Sequence, residues 1–168
     1  MFPINLPNGL TLKENFITPA KEEELLNEID KRPWLADLKR RVQHYGYKYD
    51  YHTKGKLGFL GEVPLFLKQI DVGFYFNQVI VNEYLQGQGI APHIDLPSVF
   101  GKTIASLSLA SSCNMDFIKG EERVSLLLPQ RSLLILTDEA RYNWKHGIKG
   151  AKSNITSRRV SITFREVI

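Results

Sequence analysis

The chain has 168 residues, enough for one domain with a real core, and its 43% hydrophobic and 24% charged residues exclude a disordered chain. Cys113 is the only cysteine, which excludes an internal disulfide and a cysteine-built zinc site and makes a reducing, intracellular (cytoplasmic) setting the simple expectation. The net charge of +4 is compatible with a phosphate-bearing partner but does not demand one.

In chain order, residues 9–16 alternate apolar and polar and predict a strand. Thr18 then suits a helix N-cap, Pro19 the first helical position, and Glu22 to Glu24 the positive helix end. Leu25, Leu26 and Ile29 give that helix its apolar face, and Pro33 stops it. Residues 40–51 are dense in cations and tyrosines, residues 53–61 are rich in Gly and Lys and read as a loop, and residues 64–70 predict a short helix. Eight short strands follow, over 78–85, 89–95, 103–110, 115–119, 123–128, 132–137, 142–148 and 158–167. So many strands in the second half predict a mainly β sandwich or jelly-roll barrel with the helices packed on one sheet. The longest apolar run, Leu126-Leu127-Leu128, is far too short to span a bilayer, and no secretory signal follows Met1, so no membrane association is expected. Residues 1–168 read as a single domain.

Three separated stretches carry chemistry. His93 and Asp95 are two apart on a predicted strand and so share a face. His146 ends another predicted strand, followed by Gly147. Two imidazoles and one carboxylate are the facial triad of non-haem iron(II) oxygenases, which leaves three metal positions open. On the last strand Arg159, Ser161, Thr163 and Arg165 share one face, while Val160, Ile162 and Phe164 form the other. Guanidinium forks receive carboxylates, so this face suits an anion; Arg158 falls on the opposite face. Asn82 and Tyr84 add an amide and a phenol to one face of an otherwise apolar strand. Each stretch alone has a plainer reading: a surface strand, a core histidine, a solvated edge. Together they suit iron(II) chelated by a 2-oxo acid whose far carboxylate meets an arginine, with dioxygen in the last position and a substrate C–H as the group oxidised.

Several segments resemble one family, the AlkB-type Fe(II)/2-oxoglutarate dioxygenases. They are Asn82-Glu83-Tyr84, residues 87–95, Ser106-Leu107-Ser108-Leu109, Leu133 to Leu136, residues 140–148 and residues 158–165. Within the family the chain is most similar to the dioxygenase domain of the tRNA wobble-uridine-modifying homologue, through residues 41–47 and Met115-Asp116-Phe117. The resemblance implies a double-stranded β-helix, with iron(II) on His93, Asp95 and His146. It implies 2-oxoglutarate held by Asn82, Tyr84, Arg159 and Arg165, with Arg159 and Tyr84 on the distal carboxylate and Arg165, helped by Asn82, near the chelating one. It also implies that residues 40–60 form a nucleotide-recognition lid, in which Arg41, Tyr45, Tyr47, Tyr49 and Tyr51 meet RNA or single-stranded DNA; the alternative is an edge strand whose tyrosines pack on the barrel. Pro97 stands where repair members carry an acid, which argues against a cationic methylated base, and it also excludes the structural zinc of the tRNA-modifying homologue. No RNA-binding or methyltransferase module is visible in these residues, so selectivity for a nucleic acid is expected from the barrel's loops or an accessory protein. The alternatives are the same oxidation of a protein side chain or small molecule, and a catalytically silent jelly-roll module.

Overall fold

The computed structural model describes residues 5–36, 38–50 and 57–168. Two antiparallel sheets face each other, and two helices cover the outside of the larger one. The chain runs β1 (Leu10–Lys13), α1 (Pro19–Asp30), β2 (Val42–Tyr45), β3 (Tyr47–Tyr49), β4 (Leu57–Phe59), α2 (Leu65–Lys68), β5 (Gln78–Tyr84), β6 (Ile90–His93), β7 (Phe100–Leu109), β8 (Cys113–Lys119), β9 (Glu122–Leu128), β10 (Leu133–Leu136), α3 (Asp138–Tyr142), β11 (Lys145–Ile148) and β12 (Arg159–Val167). The large sheet has the order β1-β10-β7-β12-β5-β2 and the small one β6-β11-β8-β9, with β3 and β4 forming a separate hairpin. This is the jelly-roll arrangement the strand pattern predicts.

Side-chain parity separates the two faces of the large sheet. Val79, Val81, Ala105, Leu107, Val160, Ile162 and Phe164 point outward and pack under Leu25 and Ile29 of α1 and Leu67 of α2. The opposite face looks at the small sheet, and between the two Phe117, Met115 and Ile148 meet Leu134 of β10 in a second apolar cluster. Thr18 caps α1 as its sequence suggests, accepting a 3.1 Å bond from the Lys21 amide.

Two expectations change. Tyr142 is not in a strand: Asp138 and Glu139 occupy the first turn of α3, the Asn143 amide bonds the Glu139 carbonyl at 2.8 Å, and the strand starts only at Lys145. The acidic pair at the positive end of a helical turn outweighs the aromatic content of the segment. Leu57–Phe59, expected in a loop, pairs as β4 with β3; residues 53–56 lie outside the described residues. The segment 42–49 breaks in two at Gly46, whose positive φ of 78° turns the chain where any side chain would strike the Asn77 carbonyl.

Candidate active site

The metal-type donors come from the small sheet. β6 and β11 pair antiparallel with His93 directly opposite His146, so both imidazoles leave the same face, with ring centroids 4.5 Å apart. Gly147 lets these strands approach, since a Cβ there would lie 2.8 Å from the Pro92 nitrogen and 3.0 Å from the Ile90 carbonyl oxygen. Asp95 lies two residues beyond His93 and turns its carboxylate into the same space. Its Oδ1 is 3.2 Å from His93 Nε2 and 3.8 Å from His146 Nε2, and the three donors fall within 4.8 Å of one another. Neighbouring donors of an octahedral ion with bonds of about 2.1 Å are about 3 Å apart, so this set needs little adjustment to close on a divalent metal.

The donor chemistry fits as well. His93 Nδ1 is 2.8 Å from the Ala91 carbonyl; Nδ1–H donates there and leaves the Nε2 lone pair for a metal. Burial favours a neutral His93, but the hydrogen bond and charge of Asp95 outweigh it and raise its pKa. For His146 burial dominates, and its pKa is pushed down to about 4, so this imidazole is neutral at ordinary pH. Burial alone would raise the Asp95 carboxyl, yet Arg165, His93 and His146 together hold it well below the usual carboxylate range. Asp95 is fixed at both ends: Arg165 Nη1 donates to Oδ2 at 3.0 Å, and Arg141 Nη1 donates to its main-chain carbonyl at 2.7 Å. Oδ1 is thereby left facing the histidines.

The large sheet supplies the facing wall. Arg159, Ser161, Thr163 and Arg165 of β12 and Asn82 and Tyr84 of β5 line a cavity of about 340 Å³ together with His93, Asp95 and His146. The register sets Tyr84 opposite Arg159 and Asn82 opposite Ser161. Arg159 has no exposed surface. Its Nη2 donates to Ser108 Oγ at 2.8 Å, while Nε and Nη1 meet no acceptor among the described residues. A buried guanidinium with two spare donors at a cavity wall fits a carboxylate. Arg165 lies 3.7 Å above the Phe100 ring and donates to Gln78 Oε1 at 2.9 Å as well as to Asp95.

The structure divides the residues expected to meet a nucleic acid. Tyr49 lines the cavity and stands 6.1 Å from Phe100. Tyr47 sits on the hairpin against Phe59 at 5.2 Å. Two others face away from the cavity. Tyr45 pairs with Val79, a residue of the helix-covered face; its hydroxyl donates to Gln43 and its ring meets Phe66, so it points away from the cavity. Arg41 also lies on the outer face, ion-paired with Glu83 at 2.8 Å. A one-residue difference in strand parity decides both. Tyr51 lies outside the described residues. Asn82 is bonded by Arg40, whose Nε donates to Oδ1 at 3.1 Å, rather than by Arg165.

Three supporting residues carried no role in the sequence reading, and Arg40 had one only as a cation of the lid segment. Arg40 lines the cavity, Ser108 holds Arg159, Gln78 holds Arg165, and Arg141 donates to the carbonyls of Asp95, Phe100 and Gly101. Gln78 is four residues from Asn82 on one predicted strand, so parity is the signal that finds it; Ser108 is on another strand, and its inward face follows only from the register that sets it against Ser161. Arg141 stands in the unexpected helix, where no strand parity applies.

The family profile described as "2OG-Fe(II) oxygenase superfamily" matches residues 32–165. The chain is 38% identical to the Arabidopsis thaliana "Alkylated DNA repair protein ALKBH8 homolog", covering 98% of this chain and 59% of that one. It is 36% identical to the Xenopus tropicalis "tRNA (carboxymethyluridine(34)-5-O)-methyltransferase alkbh8", covering 90% of this chain and 27% of that one. It is 32% identical to the human "Alpha-ketoglutarate-dependent dioxygenase alkB homolog 4", covering 95% and 67% respectively. The solved structure described as "The structure of OsALKBH1" superposes with a TM-score of 0.74 at 15% identity, over 96% of this chain and all of that one, and so shares the fold.

Proposed function

The chain belongs to the 2OG-Fe(II) oxygenase superfamily, among its AlkB-type dioxygenases, and on that premise we propose that it oxidises an alkyl or modified group on a nucleic-acid base. Its cofactors are those of the family: Fe(II), 2-oxoglutarate and dioxygen. The observation that carries the reading is one cavity that holds three metal-type donors on one wall and the under-bonded Arg159 on the other.

In this reading His93, Asp95 and His146 hold the iron. Arg159 and Tyr84 take the distal carboxylate of 2-oxoglutarate, and Arg165 stands beside the chelating end because it already grips Asp95. When bound, Fe(II), 2-oxoglutarate and dioxygen supply the oxidation: the keto acid loses carbon dioxide to give succinate, and one oxygen atom enters a substrate C–H bond. The protein's share is positional. Neutral His146 offers its lone pair without first losing a proton. Asp95, held ionised, keeps one oxygen toward the metal and the other on Arg165. Ile90, Ile94, Met115 and Leu134 give the cavity an apolar lining that excludes water from the reacting C–H.

A nucleic-acid base as substrate is supported by relatives whose names refer to alkylated DNA, to tRNA and to N6-methyladenine in DNA. Tyr49 gives the cavity mouth an aromatic face for stacking, and the net charge of +4 favours a phosphate backbone. RNA or single-stranded DNA is the partner proposed, the base being swung into the cavity, with residues 40–60 as a lid and residues 1–168 as one catalytic unit. The chain spans 59% and 27% of the first two relatives named above, so any accessory segment or protein they use belongs to this proposal. No helix among the described residues is long and apolar enough to cross a membrane; a cytoplasmic setting is proposed on the reduced Cys113. The test is 2-oxoglutarate turnover against a panel of modified oligonucleotides and tRNA, with mass spectrometry of the nucleosides. Succinate formation coupled to loss or oxidation of one base modification is the expected result. Coupling to a peptide or small metabolite, with none to any oligonucleotide, refutes the substrate class.

A further inference from the structure

Glu83 is a buried carboxylate that the chemistry above does not use. It is 3% exposed and projects from β5 onto the helix-covered face, opposite Val160. Three guanidinium bonds reach it: Arg41 Nε at 2.8 Å, Arg41 Nη2 at 2.9 Å and Arg158 Nε at 2.8 Å. Arg158 continues to Asp30 at the end of α1, with bonds of 2.7 and 3.0 Å.

The residues next to this outer row form a second row on the inner face. Arg40 precedes Arg41, Asn82 precedes Glu83, and Arg159 follows Arg158. Alternation turns each of these three into the cavity. The outer row therefore works on the backbone that aims the inner row. The sheet ladder fixes this backbone only in part. Arg40 and Arg41 come before β2, an edge strand, and Arg158 comes just before β12 begins. At both places the chain enters the sheet from irregular structure; at the first, the Glu83 amide donates to the Arg41 carbonyl at 2.9 Å and Val42 exchanges two backbone bonds with Leu35, and the guanidinium bonds add to these few anchors. A charged, bidentate fork is stiff and short enough to do this.

We propose that Glu83 is a positioning residue for the diacid end of the cavity: by holding Arg41 and Arg158 it sets the strand entries from which Arg40 and Arg159 reach inward beside Asn82. The assignment rests on the reading of that end as the 2-oxoglutarate site. It separates that end from the metal end, because His93 and His146 stand on β6 and β11 of the other sheet, and Asp95 meets β12 only at Arg165, six residues beyond Arg159.

The experiment uses the full chain with Mn(II) as a redox-silent metal. Mn(II) affinity is measured alone by electron paramagnetic resonance, and 2-oxoglutarate affinity in its presence by calorimetry, for wild type and Glu83→Gln. The expected result is 2-oxoglutarate binding weakened on the order of tenfold with Mn(II) binding unchanged, the size seen when a supporting partner of a directly bound group is lost. In turnover the same change raises KM for 2-oxoglutarate and leaves kcat. Arg41→Gln and Arg158→Gln, whose side chains are 47% and 33% exposed, carry the same test if the buried substitution does not fold, and the corresponding Lys variants should fall between. Equal loss of both ligands, or loss of neither, overturns the positioning role while the oxygenase reading stands. Failure of wild type itself to bind 2-oxoglutarate removes the oxygenase reading, and this inference with it.

Discussion

Replacing Arg159 by Met should stabilise the ligand-free protein and abolish its response to 2-oxoglutarate. Arg159 has no exposed surface, and two of its donors, Nε and Nη1, lack an acceptor among the described residues. Each unsatisfied buried donor costs about 1–3 kcal/mol. Methionine fills nearly the same volume without polar atoms. It gives up the Nη2 bond to Ser108, which offsets about 1–2 kcal/mol of the gain. The expected net is a stabilisation of about 2 kcal/mol, or roughly 4–8 °C in Tm for a chain of this size. Wild type with Mn(II) should gain about 2.7 kcal/mol from 2-oxoglutarate at a hundred times its Kd, and the variant should gain nothing. The two melting curves should thus exchange order when the diacid is added, as scanning calorimetry at fixed Mn(II) would show. A ligand-free variant that melts several degrees below wild type, or one that keeps the full shift with 2-oxoglutarate, refutes the claim that this guanidinium is held in readiness for a carboxylate. The expected exchange is stability given up for binding.

Asp95→Asn should abolish Mn(II) binding and lower stability by about 3–5 kcal/mol, because it strands Arg165 beside a neutral amide in a buried site; urea unfolding should show much of that loss restored by adding Arg165→Met. Gly147→Ala should weaken Mn(II) binding on the order of tenfold, since its Cβ forces β11 away from β6 and the two imidazoles apart. An unaltered Mn(II) titration would show that the close approach of these strands does not set the donor spacing. Acid sensitivity should come from Asp95 and His146 of the metal site and, outside it, from two carboxyls held low: Glu83 by the Arg41 fork despite burial, and Asp30 by Arg158. Their pKa values lie below the unfolded values of 4.5 and 3.8, so their stabilisation is complete above about pH 5 and drains away as pH falls through the folded-state values. Urea midpoints measured from pH 6 to 3 should fall less steeply for Glu83→Gln than for wild type.

How far the sequence reveals this site follows from what each residue's position depends on. Arg159 and Arg165 are six apart on one strand, and alternation alone puts them on one face with Ser161 and Thr163. The same rule separates Arg158 from Arg159. It does not reach Tyr45 or Arg41, because parity transfers between strands only when the register is known, and β2 sets Tyr45 against Val79 and Val42 against Asn82. Tyr49 regains the cavity only because Gly46 bends the chain off the sheet. Arg141 is out of reach for another reason: its three carbonyl partners, Asp95 after β6 and Phe100 and Gly101 at the start of β7, lie 40–46 residues earlier, and no local pattern encodes such a contact.

His93 and His146 sit on one leaf of the sandwich and Arg159 on the other, with Arg165 and Asp95 already clasped across the gap. A metal and a keto acid seated between them act as a rivet through both leaves. Bare protein must therefore spring open along this seam more readily than loaded protein. Protease attack finds the opened form, so the lifetime of the molecule will rise and fall with the supply of iron and keto acid around it.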